Sequence, residues 1–329
     1  AAATYHQLGR IAEELRELTT AEQWYKKTLA IKENQGNEYG AAATYHQLGM
    51  ITEKQRNFVA AEQWYRKSLA IEKRQGNEHG VAATCHQLGI LAEKQRKLTA
   101  AEQWYKKALA IFEKQGNEHD AAATYHQLGI IAEEQRDLAA AEQWHKKALA
   151  IFEKQGNEHG AASTYHQLGI TAQKQRNLVT AEQWYRKALV IFEKQSNEHG
   201  AAGVYHQLGR VAQDQRNFVA AEKWYNKALA IFDKQGNEHG AASVYNQHGQ
   251  IARLQKDYAG AAEWYLKTVS VFLRINDPYH FDIVARNFIM ALHTVDLKNQ
   301  TILRQKWQQA GLDEIIPLDQ LEQKLNEHN

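Results

Sequence analysis

Residues 4–40 read TYHQLGRIAEELRELTTAEQWYKKTLAIKENQGNEYG, and this stretch returns with a period of 40 residues along most of the chain. TYHQLG recurs at 44–49, 124–129 and 164–169, with near copies at 84–89 and 204–209. AEQWY at 21–25 begins again at 61, 101 and 181, with variants at 141, 221 and 261. A period of this length is typical of small units that stack side by side. The sequence therefore predicts seven tandem units, at 1–40, 41–80, 81–120, 121–160, 161–200, 201–240 and 241–280.

Each unit carries two apolar stripes with helical spacing, which predict two helices. The first stripe consists of Tyr5, Leu8, Gly9, Ala12 and Leu15. The second consists of Ala21, Trp24, Tyr25, Thr28, Leu29 and Ile31. This second stripe covers more than half of its helix, so the helix must be buried on two sides, by its own partner and by the next unit. Trp24 and its counterparts are accordingly interpreted as core residues.

The residues between the stripes predict tight turns. The two helices of a unit are expected to separate near Leu18–Thr20. Gly36 suits the left-handed position that ends a helix. Asn37 can then cap the next helix, and Glu38 is favourable in its first turn. The QGNE stretch is thus interpreted as a short connection and not as a flexible linker.

A position within the unit is called a column here, and column 9 is glycine in all seven units. A glycine inside a helix costs about 1 kcal/mol relative to alanine. We interpret Gly9 as the place where the two helices of a unit approach closely, with Ala21 at the facing position.

The pattern resembles the tetratricopeptide repeat signature, which has an aromatic residue, then Leu-Gly, then alanine followed four residues later by an aromatic residue. In the first unit these are Tyr5, Leu8–Gly9, Ala21 and Tyr25. Ala12 replaces the usual tyrosine, and the usual terminal proline is absent. These departures are similar to the 40-residue class found in adaptors of the Pins/LGN type and in the C-terminal sensors of bacterial signal-transducing (STAND) NTPases.

The resemblance covers all seven units and implies an all-α fold, an α-solenoid in which helix-turn-helix hairpins form a right-handed superhelix. It implies little about the partner, because this fold serves many functions. After the array, residues 281–329 lose the period and are expected to form a helical cap, with helices at Phe281–Leu292, Asn299–Gln309 and Leu318–Asn326. Such a unit hides the last apolar face of a solenoid.

Composition excludes several classes of function. Forty basic and 38 acidic residues give a net charge of +2, which offers no electrostatic reason to expect nucleic acid or a membrane surface. No P-loop, GxSxG or dinucleotide motif occurs, so no enzyme and no cofactor are expected. Cys85 is the single cysteine, which fits a reducing compartment, and we expect a cytoplasmic location.

The first helices are expected to line a concave wall that binds a protein or peptide in its groove, as the resemblance implies. Column 10 supplies apolar residues with an arginine at either end, whereas columns 6, 13 and 14 supply histidine, glutamate and lysine. The candidate residues are Arg10, His46, Met50, Glu53, Lys54, His86, Ile90, Glu93, Lys94, His126, Ile130, Glu133, His166, Ile170, Lys174 and Arg210. The apolar column either forms an exposed floor for a peptide or packs between neighbouring first helices.

The column-6 histidines do not predict a metal site. Consecutive members are a whole unit apart, with helices about 8–10 Å apart, whereas zinc needs its ligands within about 2.1 Å. No HExxH motif or cysteine pair occurs. We expect hydrogen-bonding wall residues, and, as a secondary hypothesis, partner binding that depends on pH near neutrality.

Alternative functions remain open at this point. The chain begins at Ala1 without a capping segment, which favours a cut from a longer protein, and the array is then the ligand-sensing C-terminal part of a larger signalling protein. A second alternative is a structural spacer or self-associating rod, since exposed unit ends can stack. A third is an RNA-binding helical repeat, which the glutamates of column 13 disfavour.

Overall fold

The structure is a computed structural model that describes residues 1–326, and there it consists of 17 α-helices without a strand. It divides into two compact units, unit 1 over Ala1–Gln175 and unit 2 from Arg176 onward, each described here by itself. Within each compact unit, helices that follow each other along the chain pack together and are joined by short turns. This confirms the predicted all-α class of stacked helical hairpins.

Unit 1 contains nine helices: α1 Ala2–Glu14, α2 Leu18–Asn34, α3 Glu38–Lys54, α4 Phe58–Arg74, α5 Glu78–Lys94, α6 Leu98–Lys114, α7 Glu118–Glu134, α8 Leu138–Lys154 and α9 Glu158–Lys174. In unit 2 the described residues form α10 Leu178–Lys194, α11 Glu198–Asp214, α12 Phe218–Lys234, α13 Glu238–Leu254, α14 Tyr258–Arg274, α15 Pro278–Thr294, α16 Leu297–Gln309 and α17 Leu318–Asn326.

The turn between hairpins has the predicted caps. Gly36 adopts a left-handed conformation with φ of +65°, just after α2. The Asn37 side chain accepts a hydrogen bond of 2.8 Å from the backbone N–H of Gly40, in the first turn of α3. Because glycine enters the left-handed region without steric cost and Asn caps a free N–H, QGNE joins the helices tightly.

The turn inside a hairpin lies earlier than predicted. The second helix begins at Leu18, so the break falls at residues 15–17 and not at Leu18–Thr20. Its counterpart in the second hairpin shows why. Arg56 takes the left-handed conformation (φ 62°), and the N–H of Asn57 donates to Thr52 O at 2.9 Å, which is a Schellman ending. Asn57 also caps α4 by accepting from Ala60 N at 3.2 Å.

The core centres on the column-25 tyrosine. The side chain of Tyr65 is fully buried, and a Cβ added to Gly49 would lie 2.5 Å from its ring. The close approach that Gly9 and its counterparts permit is therefore between one helix backbone and a tyrosine ring. The nearest contact of the glycine is with the tyrosine ring, and the placement of Ala21 opposite the glycine stays a prediction.

The column-24 tryptophans are not core residues, contrary to the sequence interpretation. Trp64 is half-buried and packs on the edge of the core. Its ring stacks on Tyr45 with centroids 5.6 Å apart, and Lys67 Nζ lies 4.7 Å from its centroid. The indole thus lies at the partly exposed border of the core beneath a lysine side chain. The next residue, Tyr65, is the one that is fully buried in the core.

The segment after the array is helical, as expected for 281–326. Trp307 of α16 is fully buried and stacks on Phe288 of α15 with centroids 5.1 Å apart. α15 starts at Pro278, three residues before the predicted start, because Asp277 caps it and proline suits a first helical turn. Residues 327–329 of the predicted cap lie outside the described residues, and the division into seven units plus a cap stays a prediction.

Candidate partner-binding face

The first-helix face of unit 1 is the side of α3, α5, α7 and α9 formed by columns 6, 10, 13 and 14. Its column-10 side chains are neither fully exposed nor fully buried. All four apolar residues of this column, Met50, Ile90, Ile130 and Ile170, are half-buried. Part of each side chain therefore packs between neighbouring first helices, and part is exposed on the face. Arg10 is exposed at the start of unit 1.

Arg210 belongs to unit 2, where it is exposed and donates to Gln207 Oε1 at 3.3 Å.

The column-6 histidines join consecutive hairpins. His46 Nδ1 lies 3.0 Å from Thr84 Oγ1, His86 Nδ1 lies 3.1 Å from Thr124 Oγ1, and His126 Nδ1 lies 3.1 Å from Thr164 Oγ1. Each imidazole thus contacts the column-4 threonine of the following hairpin. These side chains are structural links between hairpins as well as part of the face.

The same burial determines how these histidines titrate. It lowers the pKa of His126 and of His166 to about 4 and also lowers the pKa of His46 and of His86. Desolvation is the first cause in every case. These shifts move the histidine pKa values away from neutrality and so give no support to pH-dependent binding near neutral pH, which stays a prediction.

The acidic and basic residues of the face form a ladder. Glu53 is 8% exposed; it accepts a hydrogen bond of 2.8 Å from the Tyr65 hydroxyl and an ion-paired one of 2.6 Å from Lys94 Nζ. Lys54 contacts Glu13 at 2.6 Å in the same way, and Lys174 contacts Glu133. The column-13 glutamate of one hairpin thus forms an ion pair with the column-14 lysine of the next hairpin. These charges neutralise each other within the protein.

The ladder is interrupted at one step inside unit 1. Glu93 accepts from the Tyr105 hydroxyl at 2.8 Å, but column 14 of the next hairpin holds Glu134 in place of lysine. Burial, with a contribution from Glu134, raises the pKa of Glu93. Arg96 Nη1 is 3.4 Å from Glu134 Oε2 and is mostly exposed. The face therefore carries two carboxylates where its neighbours carry an ion pair.

The hairpin that contains Glu134 also differs from the others at column 25. His145 replaces tyrosine, is fully buried, and has no hydrogen-bond partner at either ring nitrogen among the described residues. Burial lowers its pKa to about 3, with a smaller contribution from His126, whose ring centroid is 5.4 Å away. Glu133 lacks a phenol here and instead accepts from Thr171 at 3.2 Å.

Two recesses open on the face between the first helices. One of about 170 Å³ is bordered by His79, His86, Gln87 and Asp120, and a second of about 230 Å³ by His126, Gln127, Phe152 and Ser163. The Oε1 atom of Gln127 is buried and has no hydrogen-bond partner in the described part of the chain. Sequence reasoning missed column 7, although its glutamine in every unit is a visible signal.

Within residues 1–326, no helix has both the length and the apolar character needed to cross a bilayer.

A tetratricopeptide repeat model matches residues 40–114, 80–154, 120–194 and 200–274, and a second such model matches residues 1–34. No curated protein sequence gives a significant match.

Several solved structures share the fold. The apo form of RapI is 17% identical over 84% of this chain and 98% of its own, with a TM-score of 0.68. A STAND protein with a tetratricopeptide repeat sensor from Pyrococcus horikoshii is 17% identical over 90% of this chain and 47% of its own, with a TM-score of 0.63. BtubC from P. vanneervenii is 20% identical over 71% of this chain and 91% of its own, with a TM-score of 0.57.

At these identities the likeness concerns the fold, which is typically a non-catalytic scaffold. The family models, in contrast, match well over half of the residues, and their repeats coincide with the helical hairpins. The chain belongs to the tetratricopeptide repeat family.

Proposed function

We propose that the first-helix face of unit 1 binds a protein or peptide that presents a basic side chain between apolar ones. The repeats and their structural neighbours support a protein-interaction scaffold in general. The observation that carries the finer proposal is the interrupted ladder at Glu93 and Glu134. Ile90 lies one helical turn before Glu93, and Ile130 one turn before Glu134, so apolar surface adjoins the two carboxylates.

The chemistry of this region favours a cation. Glu93 faces Glu134 where the adjacent steps have a lysine, and Glu134 itself is ion-paired with the exposed Arg96 at 3.4 Å. A Lys or Arg side chain from a partner would take the place beside Glu93 that Lys94 and Lys174 take in the adjacent steps. The buried, unpartnered carbonyl oxygen of Gln127 offers an acceptor for a backbone or side-chain N–H nearby. Half-buried Ile90 and Ile130 supply the contact area.

The test is a peptide display selection against the whole chain, followed by fluorescence anisotropy on the selected peptides. We expect enriched peptides to combine Lys or Arg with apolar residues. Glu134→Lys closes the ladder and should weaken binding about 10-fold or more. The triple variant Ile90→Asp, Ile130→Asp, Ile170→Asp should abolish binding.

The matched control is Val59→Asp, which places the same charge on a second helix where the valine is 70% exposed. It should leave affinity unchanged, and circular dichroism should show every variant folded. Peptides that bind the triple variant and Glu134→Lys as tightly as the parent would refute the proposed face.

Self-association is a second candidate because one specific surface favours it. Ile11 of α1 is 52% exposed, and Leu15, directly after α1, is 66% exposed, whereas Ile51, the counterpart of Ile11, is fully buried. Light scattering between low and high protein concentration should show a rise in mass that Ile11→Lys removes. A constant monomer mass would reject this candidate.

The sensor role in a larger signalling protein rests on fold likeness to the STAND protein alone. We keep it as part of the proposal, since binding of a partner on this face is what a sensor requires.

A further inference from the structure

We propose that His239, Asp277 and His280 form a binding site for Zn²⁺ in unit 2. His280 Nδ1 lies 2.7 Å and His239 Nε2 lies 3.6 Å from the same oxygen, Asp277 Oδ2. One ligand atom from each residue lies within 4.8 Å of the other two. Two imidazoles and a carboxylate are ligands that zinc takes in proteins.

The two separations from Asp277 are close to those that the ion needs. Zinc bonds to nitrogen and oxygen of about 2.0–2.2 Å place tetrahedral ligand atoms roughly 3.3 Å apart. His239 and Asp277 already have about this separation, and His280 must move outward by a fraction of an ångström. The ion then replaces the direct contact between His280 and Asp277, and water takes the fourth position, since the side chains of His239 and His280 are 54% and 44% exposed.

Neighbouring groups orient the three ligands. The His280 ring stacks on Phe272 with centroids 5.2 Å apart and an interplanar angle of 25°. The His239 ring meets Phe272 edge-on at 5.7 Å. Asp277 Oδ1 accepts the backbone N–H of His280 at 3.1 Å as the cap of α15, which leaves Oδ2 for the ion. A supported ligand set loses less freedom when it binds a metal.

The ligand set occurs at one junction and not at the preceding one. The equivalent positions 40 residues earlier, in the preceding repeat, are His199, Asn237 and Gly240. Asn237 caps α13 as Asp277 caps α15, accepting from Gly240 N at 2.9 Å. The same backbone arrangement there lacks both the carboxylate and the second imidazole. Asp277 and His280 thus replace the Asn and Gly of the preceding repeat, and both lie beside His239, the histidine of column 39.

One physical effect opposes the site. The ligands lie at the first turns of α13 and α15, where the positive end of the helix dipole disfavours a cation. The Asp277 carboxylate offsets this field, as the single anion in the set. It is therefore the residue on which affinity should depend most.

The experiment is isothermal titration calorimetry of the whole chain with ZnCl2, repeated with Co²⁺ for visible absorption. We expect one site of micromolar affinity and the strong absorption of tetrahedral Co²⁺. Asp277→Asn keeps a capping side chain of the kind used in the other hairpins but removes the anion, so binding should weaken more than about 10-fold. His239→Ala should do the same.

His199→Ala is the matched control, because it removes the column-39 histidine of the preceding unit. It should leave the Zn²⁺ affinity unchanged. Equal affinity in the parent, His239→Ala and Asp277→Asn would show that Zn²⁺ binds adventitiously to other histidines and would overturn the proposal, as would the absence of binding. Neither result bears on the partner-binding face, which lies in unit 1.

Discussion

The hydroxyl of Tyr65 donates a hydrogen bond of 2.8 Å to Glu53 Oε2, while the other oxygen of that carboxylate binds Lys94 of the next hairpin. One nearly buried glutamate thus connects the inside of its own hairpin to its neighbour. Removing the phenol leaves the carboxylate with less compensation for its desolvation.

We therefore expect Tyr65→Phe to lower the free energy of unfolding by about 1–2 kcal/mol. Urea denaturation followed by circular dichroism measures the change. Tyr39→Phe is the control, because Tyr39 is 67% exposed and should lose nothing measurable. Equal stability of the two variants would contradict a structural role for this hydrogen bond.

A methyl group at column 9 should be costly. Gly49→Ala places a Cβ 2.5 Å from the Tyr65 ring, and we expect a loss of about 1–3 kcal/mol from overpacking. Gly203→Ala is a matched helical change with no heavy atom within 4 Å, and it should gain up to about 1 kcal/mol from helix propensity. Thermal unfolding of both variants against the parent gives the comparison; opposite signs are the expected outcome.

Acid should destabilise the protein through His145. Its pKa is about 3 in the folded state, below the usual 6.5, so the unfolded chain binds the proton first. Stability contributed by the neutral ring is therefore complete above pH 6.5 and falls as pH drops toward 3, by up to about 1.4 kcal/mol per pH unit.

His145→Tyr should remove this site and restore the phenol that Glu133 lacks. We expect a gain of about 1–3 kcal/mol at neutral pH, because two unpartnered ring nitrogens leave the core. The stability curve between pH 6 and 4 should also be flatter than that of the parent, although the column-6 histidines still contribute. Parallel curves would show that His145 does not take part in the acid response.

The left-handed arginines between the helices of a hairpin should be improvable. Arg56 has φ of 62°, which costs a residue with a Cβ roughly 1 kcal/mol, so Arg56→Gly should stabilise by about 0.5–1 kcal/mol. Gly76→Ala is the reverse change at φ +67° with open space around it, and it should destabilise by a similar amount. Chemical denaturation of the pair tests whether backbone conformation alone accounts for both.

The caps and the hairpin fold could be predicted because they depend on local chemistry. Gly36 and Asn37 follow rules of backbone conformation and capping that hold in any context. The turn at Arg56 was misplaced because arginine gives no sign that it adopts the left-handed conformation, which is imposed by the Schellman hydrogen bonds around it.

The site was harder to predict because it depends on which residues meet across hairpins. Glu93 and Glu134 are 41 positions apart, and their juxtaposition appears only when column 13 is seen beside column 14 of the next unit. His239 and Asp277 are likewise brought together by packing. Most repeats have the same residue at a given column. The residues that carry information about a site are the exceptions, such as Glu134 and Asp277.

Each column-13 glutamate contacts column 14 of the following hairpin, so the order of the near-identical repeats determines which charges meet. Excision of residues 121–160 by recombination between copies would set Glu93 beside Lys174 and complete the row of ion pairs. Excision of 81–120 would instead set Glu53 against Glu134 and strand a carboxylate that is now almost fully enclosed. We therefore expect the loss of residues 121–160 to be tolerated better than the loss of residues 81–120.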